Sequence, residues 1–228
     1  MNEEHDLSLF GGMLTIGQPV WTTWILMVLL ALAACYLTRA LHSNPGRPQT
    51  AAEGIVVSML EAVKAVDAER APMLFPFIAT LWLFVLSANL IGIFPGMKSP
   101  TADLSTTSAL AAIVFVSVHW FGIRSEGLKS YLRHYLSPTP IMLPFHIISE
   151  ISRTVALAVR LFGNMMSLGM AAAIVLVVAG LLVPVPLLVL HIIEAIVQAY
   201  IFGMLALIFI ASGIESQRRR SETSQKGG

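Results

Sequence analysis

What most constrains this sequence is its series of long apolar segments. There are four or five, each near the roughly 20 residues an α-helix needs to cross a bilayer. Of 228 residues, 56% are hydrophobic and only 12% charged, against about a quarter charged in soluble domains. So little polar material cannot cover a water-facing surface, and the chain reads as an all-α integral membrane protein. The composition also excludes several function classes. Cys35 stands alone, which leaves no disulfide framework and no cysteine-ligated metal or cluster. The net charge is +1, and the basic residues fall in short loops and a tail rather than one patch, so there is no nucleic-acid footprint. Six histidines are too scattered for the paired ligands of a haem bundle.

Residues 1–19, with Glu3, Glu4 and Asp6, lack the basic start of a cleaved signal peptide and read as an exposed segment. The first span covers residues 20–41. Trp21 and Trp24 lie at one end and Tyr36 and Arg39 at the other, as the two membrane interfaces favour. Residues 50–70 differ, because Ile55, Val56, Met59, Leu60, Val63 and Val66 recur at helical spacing while Glu61, Lys64, Asp67 and Glu69 lie largely opposite. That pattern predicts one amphipathic surface helix. Further spans are expected at residues 75–94 and 104–121. A basic loop with Arg124, Lys129 and Arg133 follows. From 141 to 183 the chain is apolar except for His146, Glu150, Arg153 and Arg160, then Pro184 and Pro186 mark a turn before the last span, 187–214. The tail, residues 215–228, is basic, with Arg218, Arg219, Arg220 and Lys226, and reads as disordered. Lys and Arg concentrate after span one, between spans three and four, and in the tail. With positive residues inside, the N-terminus lies outside, the C-terminus is cytoplasmic, and five spans satisfy both.

Function has to come from polar side chains stranded at membrane depth, where a charge costs a few kcal/mol or more. At 100° per residue, His146, Glu150, Arg153, Arg160 and Asn164 fall within a stripe of about 80° on one helix. The last helix repeats the design with His191, Glu194 and Gln198 at spacings of three and four. Two such stripes fit a hydrated ion path. The alternatives are that Glu150 and Arg153 neutralise each other and that His191 and Glu194 hold helices together. Arg160 fits the second reading worst: it has no acid within a turn, and an arginine cannot shed its proton to escape burial. It needs a carboxylate from elsewhere, either Glu194 or a partner subunit. Asp103 either lines an entrance or caps the helix that follows it.

The run Ser152-Arg153-Thr154-Val155-Ala156-Leu157-Ala158-Val159-Arg160-Leu161-Phe162-Gly163-Asn164-Met165 closely resembles the signature of subunit a of F-type ATP synthases. Gln198-Ala199-Tyr200-Ile201-Phe202 is similar to that family's last-helix motif. Asn89-Leu90-Ile91-Gly92-Ile93-Phe94-Pro95-Gly96, continuing through Ser99-Pro100-Thr101-Ala102-Asp103-Leu104, resembles its junction between the second and third spans. The likeness runs from about residue 50 to 215, in the family's order.

The resemblance implies a stator ion channel of the membrane Fo sector, whose last two helices form a long tilted hairpin facing a ring of c subunits. Two offset half-channels would load and unload H⁺ or Na⁺ on the ring's carboxylates and so couple ion flow to ATP synthesis. The subunit would need no cofactor and would not itself be an enzyme. Its partners would be the c-subunit ring, b-type peripheral stalk subunits, the remaining subunits of the complex and membrane lipid, in a bacterial inner membrane. Arg160 aligns with the essential arginine of the family, and Asn164, His191 and Gln198 with polar positions on the rotor-facing helices. Asn164 and Gln198 would either bond across helices or relay ions. Small residues such as Gly163, Gly169 and Gly203 would allow close packing against neighbouring helices and the ring.

The sequence also departs from the family pattern. His146 stands where many members have the glutamate of a Pro-x-Glu, with Glu150 a turn further on. Gly169 replaces an acid or histidine, Thr154 a proline, and His191 a frequent glutamate, with Glu194 a turn later. These changes make His191 and Glu194 the candidates for one half-channel and His146 and Glu150 polar groups near the cytoplasmic end of the same helix stripe. They fit a divergent, sodium-type branch. His119 and His134 read as interface or loop residues. A secondary ion transporter would show paired inverted repeats or broken helices, and an intramembrane enzyme would show a nucleophile or zinc motif. The sequence displays neither.

Overall fold

The structure, a computed structural model, describes residues 7–9, 14–39, 47–94, 97, 99–127, 142–179 and 184–226. A short antiparallel pair, β1 (Leu7–Leu9) and β2 (Leu14–Ile16), sets Leu7 opposite Ile16 in the segment expected only to be exposed. Six α-helices follow among the described residues. They are α1 (Gln18–Arg39), α2 (Arg47–Val66), α3 (Ala71–Leu90), α4 (Leu104–Glu126), α5 (Met142–Ala179) and α6 (Pro184–Lys226). All but α2 are long and apolar enough to cross a membrane.

The helix ends follow from local chemistry. Pro72 sits in the first turn of α3, where its missing N–H would have had no partner, so the helix starts at Ala71 rather than residue 75. The Asp103 carboxylate accepts the Ser105 N–H at 2.7 Å and caps α4. At the far end Gly127, at φ 84°, closes that helix with its N–H on the Ile123 carbonyl, five residues beyond the expected end at residue 121. Pro184 and Pro186 occupy the first turn of α6 instead of a preceding turn. The tail expected to be disordered continues α6 through Arg218, Arg219 and Arg220 to Lys226. Arg, Glu, Gln and Lys are good helix formers, so the lack of apolar residues there does not end the helix.

The core lies between α3, α4, α5 and α6. Leu74, Ile78 and Val85 of α3, Val114 of α4, Leu161 of α5 and Phe202, Leu207 and Ile210 of α6 are buried in it. Val63 of α2 joins them, with Met59, Ala62 and Val66 packed alongside, while Ile55, Val56 and Val57 at the other end of α2 are exposed. Only half of the expected apolar face therefore meets the bundle. The α1 helix lies at the periphery, with Leu26 its one buried hydrophobic residue among the described residues. In α5 and α6 the apolar segments are 29 residues each, about 43 Å at 1.5 Å per residue. That exceeds a hydrocarbon core of about 30 Å, a mismatch that helices take up chiefly by tilting.

Candidate functional site

Three polar clusters interrupt the apolar interior at successive levels of the bundle. The first lies where α3 ends and α4 and α6 begin. Asn89 is fully buried there. Its side-chain oxygen accepts the Thr101 hydroxyl at 2.6 Å, and its backbone carbonyl lies 3.1 Å from His191 Nε2. Since a carbonyl can only accept, His191 carries its hydrogen on Nε2, which leaves Nδ1 as the nitrogen open to a proton. Ser99 donates to the Ala88 carbonyl at 2.7 Å and touches Thr101 Oγ1 at 2.6 Å. The Asn89 Nδ2 group is buried and has no partner among the described residues, the usual mark of a bound water or a polar path. Glu194 lies one turn along α6 from His191, half-buried, and Asp103 faces the same end of the bundle as the cap of α4.

The second cluster joins α5 to α6. Asn164 Nδ2 donates to Gln198 Oε1 at 2.6 Å, and Gln198 is 3% exposed with its own Nε2 unpartnered among the described residues. Eleven residues back along α5, the Arg153 guanidinium stands 5.6 Å from the ring centre of Phe209, which is eleven residues further along α6. Both contacts fit one antiparallel register. Arg160 lies between them, one turn from Asn164. It is exposed and, among the described residues, has no ion pair or hydrogen bond. Among the described residues Glu194 makes no ion pair with it.

The third cluster lies where α4 ends and α5 begins. Glu150 Oε2 is 3.7 Å from His119 Nε2. Glu150 thus has a contact on α4 besides any within its own helix. The polar stripe of α5 is shared among different neighbours, with Glu150 on α4, Arg153 and Asn164 on α6, and Arg160 outward. The His146 side chain lies outside the described residues, as does His134.

Sequence reasoning read His119 as an interface or loop residue and gave Asn89, Ser99 and Thr101 no role. His119 is not in a loop: it sits inside α4 and faces α5. Its signal was present, since it is an ionisable group within an apolar span. Among the described residues no group of three His, Cys, Asp or Glu side chains could hold a metal ion.

A family model described as ATP synthase A chain matches residues 20–211. The chain is 56% identical over 226 residues to "ATP synthase subunit a" of Legionella pneumophila, covering 97% of this chain and 98% of that one. It is 59% identical over 216 residues to "ATP synthase subunit a 2" of Pelobacter propionicus, covering 94% and 95%. A Bradyrhizobium protein, also named "ATP synthase subunit a 2", is 45% identical over 205 residues, covering 90% and 92%.

Proposed function

The chain belongs to the ATP synthase A chain family and is an integral membrane protein, and from that premise we propose that it is the ion-channel stator of an Fo sector. In this reading it faces a ring of c subunits and is held by b-type peripheral stalk subunits among the other subunits of the complex. It sits in a bacterial inner membrane with its N-terminus outside and its C-terminus cytoplasmic. It catalyses no bond change itself; it loads and unloads H⁺ or Na⁺ on ring carboxylates.

One observation carries this reading: Arg160 is exposed in the middle of a helix long and apolar enough to cross a membrane and has no counter-ion among the described residues of its own chain. A guanidinium stays charged at any working pH, and a bare charge at membrane depth is costly. A passing carboxylate from the ring removes that cost, and the fixed cation in turn favours the ionised form of that carboxylate. An arriving carboxylate thus gives up its ion beside Arg160, and the same charge bars an ion from slipping between the two half-channels. The outer half-channel runs past Asp103, Asn89, His191 and Glu194. The cytoplasmic one runs past His146 and Glu150. Asn164 and Gln198, bonded to each other, form the wall beside Arg160.

Reconstitution separates a stator from a self-sufficient transporter. Liposomes holding this chain and c subunits together are expected to conduct ions at rates well above those holding either one alone. Equal conduction by this chain alone would contradict the stator reading.

A further inference from the structure

One ionisable pair on α4 and α5 is arranged for more than a structural contact. His119 Nδ1 lies 2.9 Å from the Phe115 carbonyl on its own helix. A carbonyl only accepts, so Nδ1 carries a hydrogen. The imidazole also packs against the Phe115 ring, with centroids 4.5 Å apart. These two contacts fix the ring's orientation and leave Nε2 as the nitrogen that gains or loses a proton, and Nε2 faces Glu150 Oε2 at 3.7 Å. Both side chains remain partly open, His119 at 30% and Glu150 at 22%.

Along α5 the ionisable residues nearest Glu150 in sequence are His146 and Arg153. On α5 Arg153 is turned to Phe209 of α6. Between Tyr200 and Ile214, α6 carries no ionisable side chain, and neither does α3. Arg124, further along α4, is exposed. A direct proton transfer needs about 2.6–3.2 Å between heavy atoms. At 3.7 Å the step would need a bridging water.

We propose that His119 and Glu150 form a proton-exchange pair at the cytoplasmic mouth of the path, a role that rests on the stator reading. A proton released by the ring reaches the Glu150 carboxylate. It passes through water to His119 Nε2, where an O–H bond is lost and an N–H bond gained, and leaves to bulk water as Nε2 becomes neutral again. One proton enters and one leaves, and the reverse order serves pumping. This assigns H⁺ as the ion handled here. An imidazole nitrogen takes up a proton readily, whereas hard cations are bound by sets of oxygen ligands.

The test uses the intact complex in proteoliposomes, with gradient-driven ATP synthesis measured while the pH on each side is varied separately. His119→Gln is expected to lower the rate at least about tenfold, the low side of a general acid–base contribution. It should also alter the response to pH on the cytoplasmic side alone. Glu150→Gln should change the same side's profile, and the double variant should be no slower than the slower single one. Where His119→Gln does not assemble, the Glu150→Gln profile decides. Wild-type rates and profiles in assembled variants overturn the pair's role, as does full-rate synthesis driven by a sodium gradient alone. Arg160→Ala, run alongside, tells that failure from failure of the stator reading. If it too couples normally, the stator role itself is wrong.

Discussion

Arg160→Ala in the intact complex is expected to abolish ATP synthesis driven by an ion gradient while leaving the complex assembled. Assembly should survive because the side chain is exposed and bonded to no described residue of its own chain. Coupling should not. A unit cation about 4 Å from a carboxylate contributes about 4 kcal/mol at an effective dielectric near 20. At about 1.4 kcal/mol per factor of ten, losing it lowers the ionised population beside the stator on the order of a thousandfold. Arg160→Lys keeps a charge but loses the planar fork and can shed its proton when desolvated. It should therefore recover only a small part of the wild-type rate. Near-normal synthesis by the alanine variant would make Arg160 a structural residue.

The second large effect is expected at Gly203. A Cβ added there would overlap the Trp82 indole, closest to Nε1 and Cδ1 and 2.8 Å from Cε2. The indole cannot step aside cheaply. It is 6% exposed, donates from Nε1 to the Tyr200 carbonyl at 3.1 Å, and stacks on the Tyr200 ring with centroids 5.9 Å apart. Gly203→Ala should cost about 1–3 kcal/mol through overpacking, and about 0.5–1.5 kcal/mol more if the hydrogen bond breaks. A lowered thermal midpoint in detergent, with a shift in tryptophan emission, would register it. Gly54→Ala is the control. Nothing among the described residues lies within 4 Å of its added Cβ, and removing a mid-helix glycine should stabilise the fold by up to about 1 kcal/mol and so leave the midpoint unchanged or higher. Equal midpoints for the two variants would contradict the close α3–α6 contact.

That contact shows where sequence reading stops. Gly203 was recognised as a small residue suited to close packing, as were Gly163 and Gly169. Only the fold shows that Gly203 meets Trp82 while the other two have nothing within 4 Å among the described residues. The spans were legible because a hydrocarbon layer sets their length, and α2 because its charges fall largely on one side. The tail of α6 was misread because hydropathy was weighed and helix propensity was not. Periodicity placed His146, Glu150, Arg153, Arg160 and Asn164 on one stripe, but it cannot say which neighbouring helix each one meets. The bond between His191 and Asn89 joins residues 102 apart in sequence. No local pattern encodes it, since it depends on where α3 ends beside the start of α6. His119 was visible as a charge-capable group in an apolar span, but which helix it faces depends on the packing of α4 against α5.

The most direct measurement asks whether the Arg160 face of α5 meets the ring. Ala156 and Ser167 lie four residues before and seven after Arg160, are exposed, and share its face within about 40°. Each would be replaced by cysteine in a Cys35→Ser background, because Cys35 is itself free and exposed. The c subunit would carry one cysteine next to its carboxylate, and Val116→Cys on α4, 61% exposed, would serve as the control position. Oxidation should cross-link Ala156→Cys and Ser167→Cys to the c subunit and leave Val116→Cys unlinked. Cross-links from Val116→Cys alone, or from none of the three in an assembled complex, would place the ring elsewhere and remove the counter-ion that Arg160 requires.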